Sequence, residues 1–140
     1  MEFESTDKIE MLYETLSNIE LAINRIQERT AQIHSVDDFI TSSTGMEKLD
    51  AACMVLLAIG EAVKTLDKLT DKQLLPTYPS IDWKGIMGVR DIIAHHYFQV
   101  DPDAVFDILA NDIEPLKKAI LFFKNQLFSD DNHYKETFRS

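Results

Sequence analysis

Arg90, His95 and Tyr97 lie within eight residues of one another, and no other part of the sequence gathers so many reactive side-chain types. The arginine supplies a permanent planar cation, the histidine titrates near neutral pH, and the tyrosine adds a hydroxyl. These groups can bind a phosphodiester and move a proton on it without a metal ion. Asp91 and His96 are supporting candidates, because Asp91 precedes His95 by four residues, a spacing that pairs side chains on a helix.

Each of these residues also has a plainer interpretation. Arg90 could be a surface residue paired with Glu61, and exposed ion pairs of this kind stabilise a fold very little. Asp91 and His95 could be an ordinary surface pair, and His96 could be solvated or packed. The adjacent histidines do not predict a zinc site, since neighbouring helix residues diverge and no second ligand pair has suitable spacing. We therefore expect neither a metal ion nor a cofactor.

The charge balance limits how this chain could act on nucleic acid. It has 14 Lys and Arg against 24 Asp and Glu, a net charge of −10. A protein that binds long nucleic acid regardless of sequence normally carries a basic face, because phosphate neutralisation supplies most of its affinity. No Lys/Arg cluster is present, and acidic residues concentrate at 101–114 and 130–131. Any binding or cleavage of RNA must therefore take place in a local pocket or against the basic surface of a partner.

Cysteine usage and the N-terminal sequence indicate a cytoplasmic protein. The lone Cys53 lies in the apolar run 51–58. We therefore interpret it as a buried small hydrophobe and not as a disulfide partner. The first eight residues are acidic and lack the basic start and apolar stretch of a signal peptide. No apolar run approaches the length of a membrane span, so we expect no membrane contact.

The spacing of apolar residues predicts an all-α, up-and-down bundle of four to five helices. The first helix carries one narrow apolar seam at Ile9, Leu12, Leu16, Ile19, Ile23 and Ile26. A break is predicted at 35–45, followed by a central helix over about 46–69 whose apolar set is too broad for one stripe. Asp82 is a candidate cap for the helix that carries the motif. Pro102 suits the first turn of a last helix, in which Pro115 predicts a kink or a break.

No internal repeat, low-complexity tract or linker divides the chain. A length of 140 residues is enough to bury about two-thirds of the unfolded surface in one core. We therefore predict a single helical domain over 1–127 and a polar, loosely held tail over 128–140. The methionines and phenylalanines are interpreted as core residues.

One regular helix does not bring the side chains of Arg90, His95 and Tyr97 together at one place in space. Arg90 and Tyr97 are nearly eclipsed about 10 Å apart, whereas His95 is about 140° away from Arg90 around the axis. Either the helix ends near Ala94 and a turn frees the residues that follow, or two copies of the motif meet across a twofold axis. The seam on the first helix and apolar positions near the motif favour the dimer.

The segment 90–97, Arg-Asp-Ile-Ile-Ala-His-His-Tyr, resembles the R-x-x-x-x-H-x-Y signature of HEPN domains, specifically the HepT-like toxins of bacterial and archaeal toxin–antitoxin modules. Segment 58–62 is similar to the second helix of that family. Segment 79–89 resembles its proline–tryptophan approach to the motif, and 97–101 resembles the sequence that follows. The resemblance covers roughly residues 7–125.

This resemblance implies a metal-independent endoribonuclease toxin of a type VII HEPN/MNT system, acting as a homodimer with both motif copies in its cleft. His95 would be the general base on a ribose 2′-hydroxyl, and Arg90 would stabilise charge on the phosphate. The antitoxin would be a small nucleotidyltransferase that silences the toxin by transferring AMP to Tyr97. Two departures from the family pattern, His96 and Ala94, leave the RNA preference open.

Two other functions stay open on the sequence alone. The chain could be a catalytically inert helical subunit that docks and assists a nucleotidyltransferase, a role that suits an acidic surface. It could also be a structural helical dimer whose motif residues only make packing hydrogen bonds. RNA cleavage by the purified protein, with and without EDTA, separates an enzyme from both alternatives.

Overall fold

The computed structural model describes residues 6–95 and 100–129, and the side chains within these ranges except at 90–92, 94, 95 and 129. Within them the chain is helical and has no strand. The helices are α1 (Thr6–Arg29), α2 (Val36–Ile40), α3 (Ser43–Leu69), α4 (Trp83–His95), α5 (Pro102–Asn111) and α6 (Ile113–Lys124). A 3-10 turn at Leu75–Thr77 precedes α4, and a π-helical turn at Asn125–Ser129 follows α6. The predicted all-α class is confirmed.

The apolar seam of α1 forms the centre of the core. Its residues Leu12, Leu16, Ile19, Ile23 and Ile26 are at most 1% exposed. They pack between α3 and α6, the two helices that α1 contacts most closely. Fully burying one such side chain stabilises a fold by about 1.5–3 kcal/mol. This seam is covered by α3 and α6 of the same chain. The expectation that it favours a dimer was therefore wrong.

Contacts at both ends of α1 show that α3 runs antiparallel to it. Near the start of α1, the Lys8 ammonium lies 3.9 Å from the carboxylate of Asp71, just after α3 ends. At its other end, the Lys48 ammonium donates to the carbonyl of Arg29 over 2.9 Å, close to the start of α3. The two helices therefore lie side by side over most of their length.

Helix α6 is antiparallel to α1 as well. Gln27, near the end of α1, donates to the Glu114 carboxylate over 2.7 Å at the start of α6. At the opposite end, the Tyr13 ring meets Phe128 edge-on with 5.1 Å between centroids. Midway, Lys124 and Glu20 form an ion pair of 3.1 Å. Helices α3 and α6 therefore run parallel to each other on either side of α1.

Helix α4 completes the up-and-down arrangement. Its first residue, Trp83, stacks on Phe123 at the end of α6, whereas Val89 shares a groove with residues near the start of α6. Helix α4 is thus antiparallel to α6, and its C-terminal end lies at the end of the bundle where α3 and α6 begin. The motif is carried to this end.

The structure contains one helix that was not predicted, and it confirms the break that Pro115 predicts. The short helix α2 occupies the predicted break and buries Phe39 completely. The predicted last helix is divided, because α5 ends at Asn111 and α6 begins at Ile113. Pro115 explains the division: it has no N–H for the carbonyl of Asn111, four residues earlier, and its ring would clash with that carbonyl in a continuous helix.

The predicted domain boundary after residue 127 stays a prediction. Phe128 itself is 3% exposed and belongs to the packed core. Residues 130–140 of the predicted tail lie outside the described residues.

Gly45 allows α2 and α3 to approach each other closely. It is buried in the first turn of α3, where its N–H donates to the Ser42 hydroxyl over 2.9 Å. A Cβ atom at this position would overlap the carbonyl oxygen of Asp38. That oxygen belongs to the backbone, so it cannot move aside without displacing α2.

Gly45→Ala is expected to lower the free energy of unfolding by about 2 kcal/mol, since overpacking a tight contact costs about 1–3 kcal/mol. Gly88→Ala is the matched control, because no described atom lies within 4 Å of the added Cβ on α4. Its expected effect is a gain of up to about 1 kcal/mol from helix propensity. Chemical denaturation measures both, and equal effects would contradict the close approach at Gly45.

Candidate functional site

The helix that carries the motif is anchored at its start by an aromatic cluster. Trp83 is 8% exposed, and its indole N–H donates to the carbonyl of Tyr78 over 2.9 Å. Its ring stacks on Phe123 with 5.8 Å between centroids and 27° between planes, and Tyr78 packs edge-on against the same phenylalanine. Asp82 accepts the N–H of Gly85 over 3.0 Å, which confirms the predicted cap. The first turn of α4 is therefore fixed to α6.

Beyond this anchor, a short apolar stripe holds α4 to the core. Ile86, Val89 and Ile93 follow one another at steps of three and four residues, and Ile93 is 4% exposed. Measured around the helix axis, the position of Arg90 lies about 60° from Ile93 and that of His95 about 160° from it. The position of Arg90 therefore lies beside the core-facing stripe, and that of His95 lies on nearly the opposite side of the helix.

Three of the predicted site residues lie on α4. Arg90, Asp91 and His95 belong to this helix, which continues through His95, one residue beyond Ala94. His96 and Tyr97 lie outside the described residues. Because the backbone is helical over the whole interval, the positions of Arg90 and His95 differ by about 140° within one chain. One regular helix therefore presents these two positions in different directions.

An apolar groove runs beside α4, and sequence reasoning did not anticipate it. Its volume is about 460 Å³, and α3, α4, α5 and α6 all contribute to it. Its aliphatic lining residues are Leu56, Ile59, Ile81, Ile86, Val89, Ile108, Ile113 and Leu116. The polar residues Ser80, Asp82, Asn111 and Asp112 also line it. Its walls come from these four helices and from residues 80–82, which precede α4.

Helix α3 presents a second apolar surface, which we call the methionine face, formed by Met46, Cys53, Met54 and Leu57. Met46 is 54% exposed and Met54 is 69% exposed, while Cys53 and Leu57 are half-buried. The interpretation of methionines as core residues was therefore wrong for these two, and also for Met11 on α1, which is 50% exposed. The signal was present in the sequence, since α3 has more apolar positions than one buried stripe requires.

Cys53 on the methionine face is not poised to act as a nucleophile. Burial raises the pKa of its thiol, and the nearby Asp50 carboxylate raises this pKa further. Both effects disfavour the thiolate, which is the reactive form. The thiol therefore stays protonated at neutral pH. The prediction that it is buried was wrong, because Cys53 is only half-buried.

Among the described residues, no group of three or more His, Cys, Asp or Glu is placed to hold a metal ion. None of the helices in the described ranges is long and apolar enough to cross a membrane. The strongest local charge lies along α5 and the start of α6. Residues 100–116 contain five Asp and Glu and no Lys or Arg, and all five acids are exposed.

The sequence profile of the family described as "Ribonuclease HepT-like" matches residues 19–121. The chain is 30% identical over 113 residues to "Putative RNase MJ0127" of Methanocaldococcus jannaschii, covering 78% of this chain and 84% of that protein. It is 32% identical over 123 residues to "Gamma-glutamylcyclotransferase and putative RNase MJ0434" of the same organism, covering 88% of this chain and 52% of that protein. "Putative RNase TTE0752" of Caldanaerobacter subterraneus is 34% identical over 62 residues, covering 44% of this chain and 52% of that protein. No solved structure matches the chain.

Proposed function

The chain belongs to the HepT-like ribonuclease family, and on this premise we propose that it is a metal-independent endoribonuclease whose site forms between two copies of α4. The observation that carries the proposal is the regular helix through Arg90 and His95, which separates the two positions around one axis. The family match spans this helix, and relatives from an archaeon and a bacterium carry RNase in their names. The acidic residues at 101–114 require a site that binds phosphate locally, not through a broad basic face.

The proposed reaction is an internal transesterification of RNA. His95 takes the proton of a ribose 2′-hydroxyl, whose oxygen then attacks the adjacent phosphorus. The bond from phosphorus to the 5′-oxygen breaks, leaving a 2′,3′-cyclic phosphate and a 5′-hydroxyl. The same histidine of the second copy, or His96, gives that 5′-oxygen its proton. Arg90 stabilises the charge that develops on the non-bridging oxygens, a task suited to its planar fork of donors. Asp91 holds the His95 ring by accepting a hydrogen bond from it.

The methionine face of α3 supports the proposed dimer. A second copy seated on this face would contact α3, the helix against which α4 packs. The apolar side chains of Met46 and Met54 would be covered, a favourable change that scales with the apolar area removed from water. This face replaces the α1 seam, which is already buried in one chain.

Arg90→Ala and His95→Ala are each expected to reduce the rate of RNA cleavage by about 100-fold or more. EDTA is expected to leave the wild-type rate unchanged. Arg25→Ala and His34→Ala are matched controls, since both residues are exposed and distant in sequence from α4. These two variants are expected to retain the full rate of RNA cleavage. Cleavage that survives both motif substitutions would contradict the proposal and indicate a contaminating nuclease.

Met54→Glu is expected to convert the dimer to a monomer, because it places a charge on an apolar surface that the dimer would bury. Met11→Glu is the control, with the same change at an exposed methionine on α1. Analytical ultracentrifugation distinguishes the two species. If Met54→Glu remains dimeric, the methionine face is not the interface.

We also propose that a nucleotidyltransferase antitoxin controls the enzyme through Tyr97, which lies outside the described residues. The tyrosine oxygen would attack the α-phosphorus of ATP, releasing pyrophosphate and leaving AMP on the ring. The added bulk and negative charge would exclude RNA from the site. After co-expression with a nucleotidyltransferase encoded beside this gene, intact mass is expected to show added AMP units and loss of cleavage.

Tyr97→Phe is expected to abolish this mass increase, whereas Tyr78→Phe, at the opposite end of α4, is expected to keep it. AMP found on another residue would contradict the assignment of Tyr97.

A second candidate function is a catalytically inert subunit that docks a nucleotidyltransferase, favoured by the run of exposed acids at 100–116. A stable complex without any RNA cleavage by the free protein would select it.

A further inference from the structure

In the groove beside α4, the side chains that form the floor differ in chemical character from those that form one wall. Leu56 and Ile59 of α3 form part of its floor, and both are at most 3% exposed. Ile86 and Val89 line it from α4, and Ile108 lines it from α5. These side chains offer an occupant apolar contact and no hydrogen-bonding group. An occupant held by this floor must therefore itself present aliphatic or aromatic groups.

The wall formed by α5 and the start of α6 is acidic. Asp112 lines the groove just before α6 begins, and Asp107 is exposed on α5 one turn before Asn111, which also lines the groove. Glu114 is not counted in this wall, because it accepts a hydrogen bond from Gln27, whose amide oxygen accepts one from the Lys117 ammonium. Asp82 adds a carboxylate on the opposite side of the groove. The groove therefore combines an apolar floor with a negative rim.

The apolar floor and the negative rim together indicate which class of molecule can bind in the groove. RNA is excluded, because its phosphates would face carboxylates and its affinity depends on neutralising cations. A second copy of this chain would bring the same acidic wall against this one, which like-charge repulsion disfavours. A helix with an apolar stripe and basic residues on either side matches both the floor and the rim.

We propose that the groove is the docking site for an amphipathic helix of a partner protein, with aliphatic residues along one face and Lys or Arg beside them. Such a helix would contact Ile86 and Val89, on the same helix as Arg90. The assignment rests on the groove alone, so it stands or fails independently of the proposed ribonuclease activity.

The probe is a synthetic helical peptide of about four turns, with leucines spaced three and four residues apart and lysines on the flanks. A matched peptide carries glutamates in place of the lysines. Methyl NMR signals of Ile86, Ile108 and Ile113 report occupation of the groove in the full-length protein. The lysine peptide is expected to shift these signals, and the glutamate peptide is expected to bind at least about tenfold more weakly.

The double variant Asp107→Lys, Asp112→Lys is expected to weaken binding of the lysine peptide by about tenfold or more. Both residues are exposed, and the Asp112 side chain makes no capping hydrogen bond, so the variant is expected to fold. Glu14→Lys, an exposed acid on α1, is the control and is expected to bind as the wild type does.

Three results would overturn the proposal. One is equal binding of the two peptides, which would mean that charge does not select the occupant. Another is a set of shifts confined to methyl groups outside the groove. The third is a concentration-dependent shift of the groove methyl signals without peptide, which would assign the groove to a second copy of the chain.

Discussion

Burial of the apolar seam of α1 between α3 and α6 is the constraint on which the rest of the structure depends. The seam residues are almost completely removed from water, and polar contacts at both ends of α1 show that its two neighbours run antiparallel to it. Once α3 and α6 are placed in parallel on either side of α1, α4 can pack along α3. The seam thus contributes to function only indirectly, by fixing the frame that carries the motif.

Within this frame Trp83 and Phe123 join the first turn of α4 to α6, and Ile93 near its other end is 4% exposed. The apolar groove extends from residues 80–82, before α4, to Val89, the residue before Arg90. The proposed site and the proposed docking surface therefore share one helix without competing for the same residues.

The parts of the fold that depend on local pattern were predictable from the sequence. The α1 seam has regular steps of three and four residues, Asp82 is placed to cap α4, and Pro115 forces a break. What could not be predicted depends on the packing of distant segments. Spacing alone showed that α3 has surplus apolar positions, but only its packing partners show that Met54 stays exposed. The groove likewise needs residues from four helices at once, and no local pattern contains that information.

In the proposed site one phosphate is held by an arginine and a histidine from two different chains. Mixing Arg90→Ala dimers with His95→Ala dimers, under conditions that allow subunit exchange, tests it directly. A mixed dimer retains one intact pairing of Arg90 from one chain with His95 from the other. We predict that the two inactive preparations regain RNA cleavage on mixing, in proportion to the mixed dimer formed. The mixed dimer has only one His95, so binding of a 2′-deoxy RNA analogue is measured beside cleavage. Mixed dimers that form, remain inactive and bind this analogue no more tightly than either parent would contradict a phosphate site shared between two chains.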